Sequence, residues 1–348
     1  MLSNGYVAPL LQRILLSTIP PNSSLGKGTH SSIWGWRAKG SIQVLSNTST
    51  TLELAVNPYE IAEATYCDIQ HLMNHATEHR AYLVNSLATS RDPSPSWTFV
   101  TAYYWALFLS LALSRMQNKA VVFLDRHSVQ AMSAGVVGAT PGGGVFRISL
   151  DAFETTSRRK ARLSKSRNSH FHEVVWSDVY LFSITQVNDL ELTSRERKLG
   201  EDEMLDLRAF RCFTGVRFKE PHAWQSTLRN AINYRHGFSY RSITENNDLR
   251  LFKLIQTPSK INLKTLIEEC EIAISELKDV RDPLEAPATS ASLLMYQALI
   301  LDAYCRAALD GFCENRGIDT DLAQKRSQFL ATYFEPKKSN LLLPLLEF

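Results

Sequence analysis

Arg229, Asn230 and His236, within "LRNAINYRHGFSY" (228–240), are the residues whose types and spacing best suit chemistry in this 348-residue chain. Residues seven apart on an α-helix are rotated by about 700°, close to two turns, so Arg229 and His236 share a face roughly 10 Å apart along the axis. Asn230 sits on the shoulder of that face and Asn233 lies between, while Trp224, Leu228, Ala231 and Ile232 form an apolar side that can bury. Histidine titrates near neutrality, so it can take the proton from a ribose 2′-hydroxyl or return one to a leaving oxygen. Arginine offers a phosphate a bidentate fork and stabilises developing negative charge. Asparagine can orient either group. The trio suits RNA phosphodiester cleavage without a metal. The same spacing also fits a plainer role, in which Arg229 and His236 cap a helix that starts near Pro221 and stops at Gly237.

The stretch "RNAINYRH" resembles the R-x4–6-H motif of the HEPN superfamily, with six residues between Arg229 and His236 and the polar Asn230 directly after the arginine. Upstream, "DIQHLMNHATEHRAYLVNSL" and "WTFVTAYYWALFLSLAL" look like the paired long helices of such domains. The similarity covers about 60–240 and is nearest to divergent HEPN-like proteins of bacterial defence islands, including the YaaC-like group. The resemblance implies a metal-independent endoribonuclease, without cofactor, acting as a toxin or effector in anti-phage or toxin–antitoxin systems. It also implies RNA as partner, and a homodimer or a partner protein of the same defence system. Arg229, Asn230 and His236 carry over as the catalytic residues. Some members of the superfamily have lost catalysis, so a non-enzymatic RNA-binding or interaction subunit is the alternative.

Other clusters compete for attention. "SRRKARLSKSR" (157–167) holds Arg158, Arg159, Lys160, Arg162, Lys165 and Arg167 with no acid, and reads as a solvated loop or arm that could bind RNA phosphate. "RNSHFH" (167–172) repeats the Arg-Asn…His order, as a second half-site or as the approach to the next helix. His71, His75 and His79 recur every four residues, and "HATEH" (75–79) matches the H-x-x-E-H pattern of inverted zincins, with Glu78 as base and Glu154 as a possible third ligand. That pattern is a remote metalloprotease alternative. Its plainer reading is a polar helix face lining the same cleft as 229–236. The Gly-rich "GVVGATPGGG" (135–144) has no Lys-Ser/Thr behind it and is no phosphate-binding P-loop.

These residues need elements to hold them. The net charge of +3 gives no bulk indication of partners. Five scattered cysteines without a C-x-x-C read as reduced thiols in a cytoplasmic protein. The N-terminal segment lacks a basic n-region and is expected to belong to the mature chain. The uncharged 93–114 could span a bilayer by length, but its prolines, hydroxyls and tyrosines favour a buried helix, so no membrane is expected. Alternating runs over 30–56 predict strands, 59–88 and about 97–116 an antiparallel helical pair, 119–125 and 136–150 further strands, 172–184 a helix and 193–208 a charged helix or loop. The expected fold is mainly α: a HEPN-like helical bundle with a small β-containing N-terminal element (1–57), a helical domain (58–245) interrupted by a β insertion at about 119–150, and a C-terminal helical region (246–348). The apolar end "LLLPLLEF" (341–348) is expected to dock on a partner surface.

Overall fold

The computed structural model describes residues 5–21, 23, 25, 32–89, 95–134, 138–151, 158–234, 262–318 and 328. It is mainly helical with a five-stranded antiparallel sheet. The chain divides into two compact units: a helical unit of Met1–Pro9, Asn74–Ser110 and Trp176–Phe348, and a sheet unit of Leu10–Met73 and Leu111–Val175. The elements in order are α1 (Val7–Thr18), α2 (Ile33–Lys39), β1 (Ile42–Asn47), β2 (Thr51–Val56), α3 (Pro58–Thr89), α4 (Pro95–Met116), β3 (Lys119–Leu124), α5 (Arg126–Met132), β4 (Gly144–Leu150), β5 (Arg159–Lys165), α6 (Phe171–Glu196), α7 (Glu201–Thr214), α8 (Trp224–Tyr234), α9 (Leu263–Glu276) and α10 (Pro287–Arg316).

In the sheet unit the strand order is β1-β2-β5-β4-β3. The N-terminal strands and the inserted strands, expected as separate elements, form one sheet, because β5 pairs with β2 on one side and β4 on the other. Alternation explains it. Ala161 and Leu163 of β5 face the same core as Leu52, Leu54, Phe146 and Ile148, so a strand that reads as basic still supplies two apolar residues to that core. The basic run is therefore a central strand rather than a loop. A second correction falls at 33–39, where the expected strand is α2. Ser32 caps it by accepting from the Gly35 amide at 2.9 Å, and Trp36 turns into the sheet core. The 172–184 helix extends over 171–196, and the helix expected to begin at Pro221 begins at Trp224.

Helices α3 and α4 are the expected antiparallel pair. Asp68 accepts from Arg115 Nε at 2.9 Å in the sheet unit, and in the helical unit His75 meets Phe108 and His79 meets Tyr104. Each step toward the C-terminus of α3 is matched by an equal step toward the N-terminus of α4. The apolar α4, whose one charge is Arg115, is the one described helix long and apolar enough to cross a membrane, and 78% of its most apolar stretch is buried inside the protein. Its inward residues, among them Tyr103, Trp105, Ala106 and Leu109, explain the composition as core.

Within the helical unit α10 is the most enclosed element, and its Asp302 is 2% exposed. That carboxylate accepts from Arg80 Nη1 of α3 at 2.6 Å and from Arg306 Nε at 2.8 Å, while Arg306 also reaches Thr77 Oγ1 at 3.2 Å. The network ties the part of α3 that carries His75 and His79 to α10. Asp302→Ala would leave two arginines without their shared anion. It is expected to cost about 3–5 kcal/mol, the usual penalty for breaking a buried pair. Chemical denaturation measures it, and a loss under about 1 kcal/mol would show that the carboxylate does not hold α3.

Candidate functional site

Arg229 and Asn230 lie on α8, an 11-residue helix whose Trp224, Leu228, Ala231 and Ile232 are buried as the sequence pattern requires. Its position is set by α4. The Tyr103 hydroxyl sits 3.2 Å from Ser226 Oγ and accepts from Trp176 Nε1 at 3.2 Å. Burial pushes the Tyr103 phenol up to about 12, against the hydrogen bonds from Ser226 and Trp176, so the chain of three stays neutral. The next residue, Tyr104, faces the half-exposed surface instead. Its hydroxyl accepts from Arg229 Nη2 at 2.7 Å, and Arg229 Nη1 donates to Asn230 Oδ1 at 3.0 Å.

The Arg229 guanidinium carbon also lies 5.7 Å from the Tyr104 ring centre and 5.5 Å from that of Tyr234. Both distances are within cation–π range. Burial opposes the Arg229 charge, but the tyrosine oxygens of Tyr104, Tyr234 and Tyr103 more than offset this, and its pKa is raised. Among the described residues no carboxylate pairs with Arg229, and its Nε is buried without a hydrogen-bond partner. Two other enclosed arginines differ in having a carboxylate, Arg80 with Asp302 and Arg115 with Asp68, while Arg159 donates to the carbonyls of Asp151 and Thr18. Among the described residues, Arg229 is thus a half-buried cation whose partners are all neutral.

Beside it runs a ladder of rings from α3 and α4. His79 stacks on Tyr104 at 5.9 Å and contacts Phe108 at 5.4 Å, and His75 stacks on Phe108 at 5.0 Å. Burial and, next, the neighbouring His75 hold His79 below the ordinary imidazole value of 6.5, with Glu78 acting the other way. Neutral at physiological pH, His79 can accept a proton. The polar face read on α3 therefore meets the Arg229 edge through Tyr104, a residue the sequence reading did not single out. A signal was available: Trp97, Thr101, Tyr104 and Phe108 recur at 4-3-4 spacing along an otherwise buried helix.

His75 Nδ1 is 3.2 Å from Glu78 Oε2. Among the described residues no three His, Cys, Asp or Glu side chains come together as a metal site would need. Glu154, His236 and Gly237 lie outside the described residues, as do 135–137 of the Gly-rich stretch and 341–348. Of the basic run, Arg159 is buried and committed to backbone carbonyls, whereas Arg158, Lys160, Arg162 and Arg167 are exposed and Lys165 is half-buried. Lys160 and Arg162 share one acid, Glu53, at 3.5 and 3.7 Å. Within "RNSHFH", Asn168 accepts from the His170 amide and donates to Glu173, both at 2.8 Å, which makes the segment the approach to α6. No family profile, curated protein or solved structure matches this chain.

The lowered His79 pKa has a direct consequence for stability. The unfolded chain protonates its histidine first, so folding stability falls as pH drops from 6.5 through the lower folded value. His79→Gln is expected to flatten this part of the dependence. Thermal melts of both forms between pH 7.5 and 5 check it, and identical slopes would place the His79 pKa at its ordinary value.

Proposed function

We propose that the Arg229 face of the helical unit binds RNA and that the chain is a metal-independent endoribonuclease, acting as the effector of a bacterial defence or toxin–antitoxin system. The observation that supports this best is the half-buried Arg229 guanidinium without an anionic partner among the described residues. The tyrosine oxygens keep this guanidinium charged despite its burial, and an incoming anion meets a cation already oriented and partly stripped of water. A phosphodiester matches the fork of an arginine, and Tyr104 and Asn230 fix that fork in advance.

In this reading Arg229 takes the phosphate and stabilises the charge that develops on it. His236, with six residues between it and Arg229 in the motif, moves the proton, and Asn230 orients the arginine. Tyr104 is a positioning residue, since it acts through Arg229. Exposed members of the basic run, Arg158, Lys160, Arg162 and Arg167, are proposed as further phosphate contacts that act through long-range attraction. A homodimer or a partner protein of the same defence system completes the proposed assembly.

Arg229→Ala and His236→Ala are each expected to lower RNA cleavage by about 100-fold or more, and EDTA is expected to leave it unchanged. Incubating purified protein with labelled RNA, and inducing each form in cells while mapping new RNA 5′ ends, tests both points. Full cleavage and full toxicity in both variants would end the reading. Loss of activity with EDTA would move it to metal chemistry.

A further inference from the structure

We propose that Trp97, Tyr82 and Tyr234 form a nucleobase-stacking track beside Arg229, and that its occupant is an unpaired stretch of a nucleic-acid strand. This rests on the reading of Arg229 as a phosphate site and adds to it the means of holding bases.

The three rings are unusually open for their size. Trp97 is 71% exposed, Tyr82 59% and Tyr234 72%. They come from the three helices that build the site, α4, α3 and α8. Trp97 stands seven residues before Tyr104, so both project from one face of α4. Between them, the Thr101 hydroxyl donates to the Trp97 carbonyl at 2.8 Å. The α3–α4 register set by the His79–Tyr104 contact carries Tyr82 to the level of Thr101, between Tyr104 and Trp97. Tyr234 lies on the other side, with the Arg229 guanidinium carbon 5.5 Å from its ring centre. The track therefore runs along α3 and α4 and passes the guanidinium.

The chemistry selects the occupant. A surface of exposed flat rings around a cation with no carboxylate partner among the described residues asks for a ligand with flat apolar faces and a negative charge on the same short repeat. An unpaired nucleic-acid strand supplies both, whereas paired bases keep their faces inside the duplex. A lipid surface would offer charge without ring faces, and an acidic peptide offers few rings. The half-buried His79 and Tyr104, stacked at 5.9 Å, add two further ring faces beside the guanidinium.

The test uses the full chain carrying His236→Ala, so that any cleavage does not consume the probe. Four probes are compared: a short labelled oligouridine, its abasic counterpart, the same strand in a duplex, and anionic phospholipid vesicles. Trp97→Ala is expected to weaken oligouridine binding roughly 5-fold or more, to leave abasic binding unchanged, and to keep the salt dependence of affinity. Trp97→Phe restores most of the binding. Arg229→Ala instead reduces the salt slope by about one phosphate contact. Because Trp97 and Tyr82 are exposed, these variants retain the thermal melt of the parent. If Trp97→Ala and Tyr82→Ala bind oligouridine like the parent while Arg229→Ala does not, the stacking track is overturned and the phosphate site stands. If the parent binds no strand, both fall. Vesicle binding that depends on Trp97 and exceeds oligouridine binding would assign the track to a membrane surface instead.

Discussion

Two consecutive tyrosines on α4 govern the arrangement of the site. Helix α8 has 11 residues. That is too few to persist in water by itself, so its position depends on what it buries and on what its polar groups bond to. Tyr103 points inward and meets Ser226 and Trp176, while Tyr104 points outward and takes Arg229. Neighbouring residues on a helix diverge by about 100°. One short segment of α4 therefore fixes both the buried side and the exposed edge of α8. The geometry at Arg229 inherits the rigidity of a buried chain made of neutral groups, in which no protonation change near neutral pH would disturb the fit.

Charge compensation separates structure from site. Asp302 serves Arg80 and Arg306, Asp68 serves Arg115, and backbone carbonyls serve Arg159. Arg80, Arg306 and Arg115 are thus matched by a carboxylate inside the fold, and Arg159 meets neutral carbonyls. Arg229 receives a hydroxyl, an amide oxygen and two ring faces, which orient a guanidinium without cancelling its charge. The basic run illustrates the opposite outcome. Its most enclosed member, Arg159, donates to two backbone carbonyls, and two exposed members share Glu53.

Sequence spacing made the helical pair legible because long apolar stripes at period 3.6 leave few other solutions, and the apolar side of α8 was legible for the same reason. The union of N-terminal and inserted strands was not. Pairing across more than a hundred residues leaves no local trace, and β5 hides its apolar face under four basic residues, Arg159, Lys160, Arg162 and Lys165. Helix α2 was missed because a seven-residue segment with a glycine between two tryptophans carries almost no periodicity, and it is held by Ser32 and by the burial of Trp36. At the site, Arg229 and Asn230 were visible as types and spacing. Tyr104 was not, because an aromatic residue inside so apolar a helix reads as core until its partner is known.

The position of His79 follows from the same logic and adds a constraint on chemistry. An imidazole stacked on Tyr104 and Phe108 gives up water on its ring faces, and that loss falls hardest on the charged form. It is therefore neutral where Arg229 is charged, and both groups contact Tyr104 without repelling each other. A second cation beside Arg229 would draw an anion more strongly but would also compete for it and blur its position. A neutral ring leaves the guanidinium to set register. Under the proposed reading, affinity for the strand is thus spread over ring faces, while its phosphate is positioned at a single point, which is the division of labour that cleavage at one bond requires.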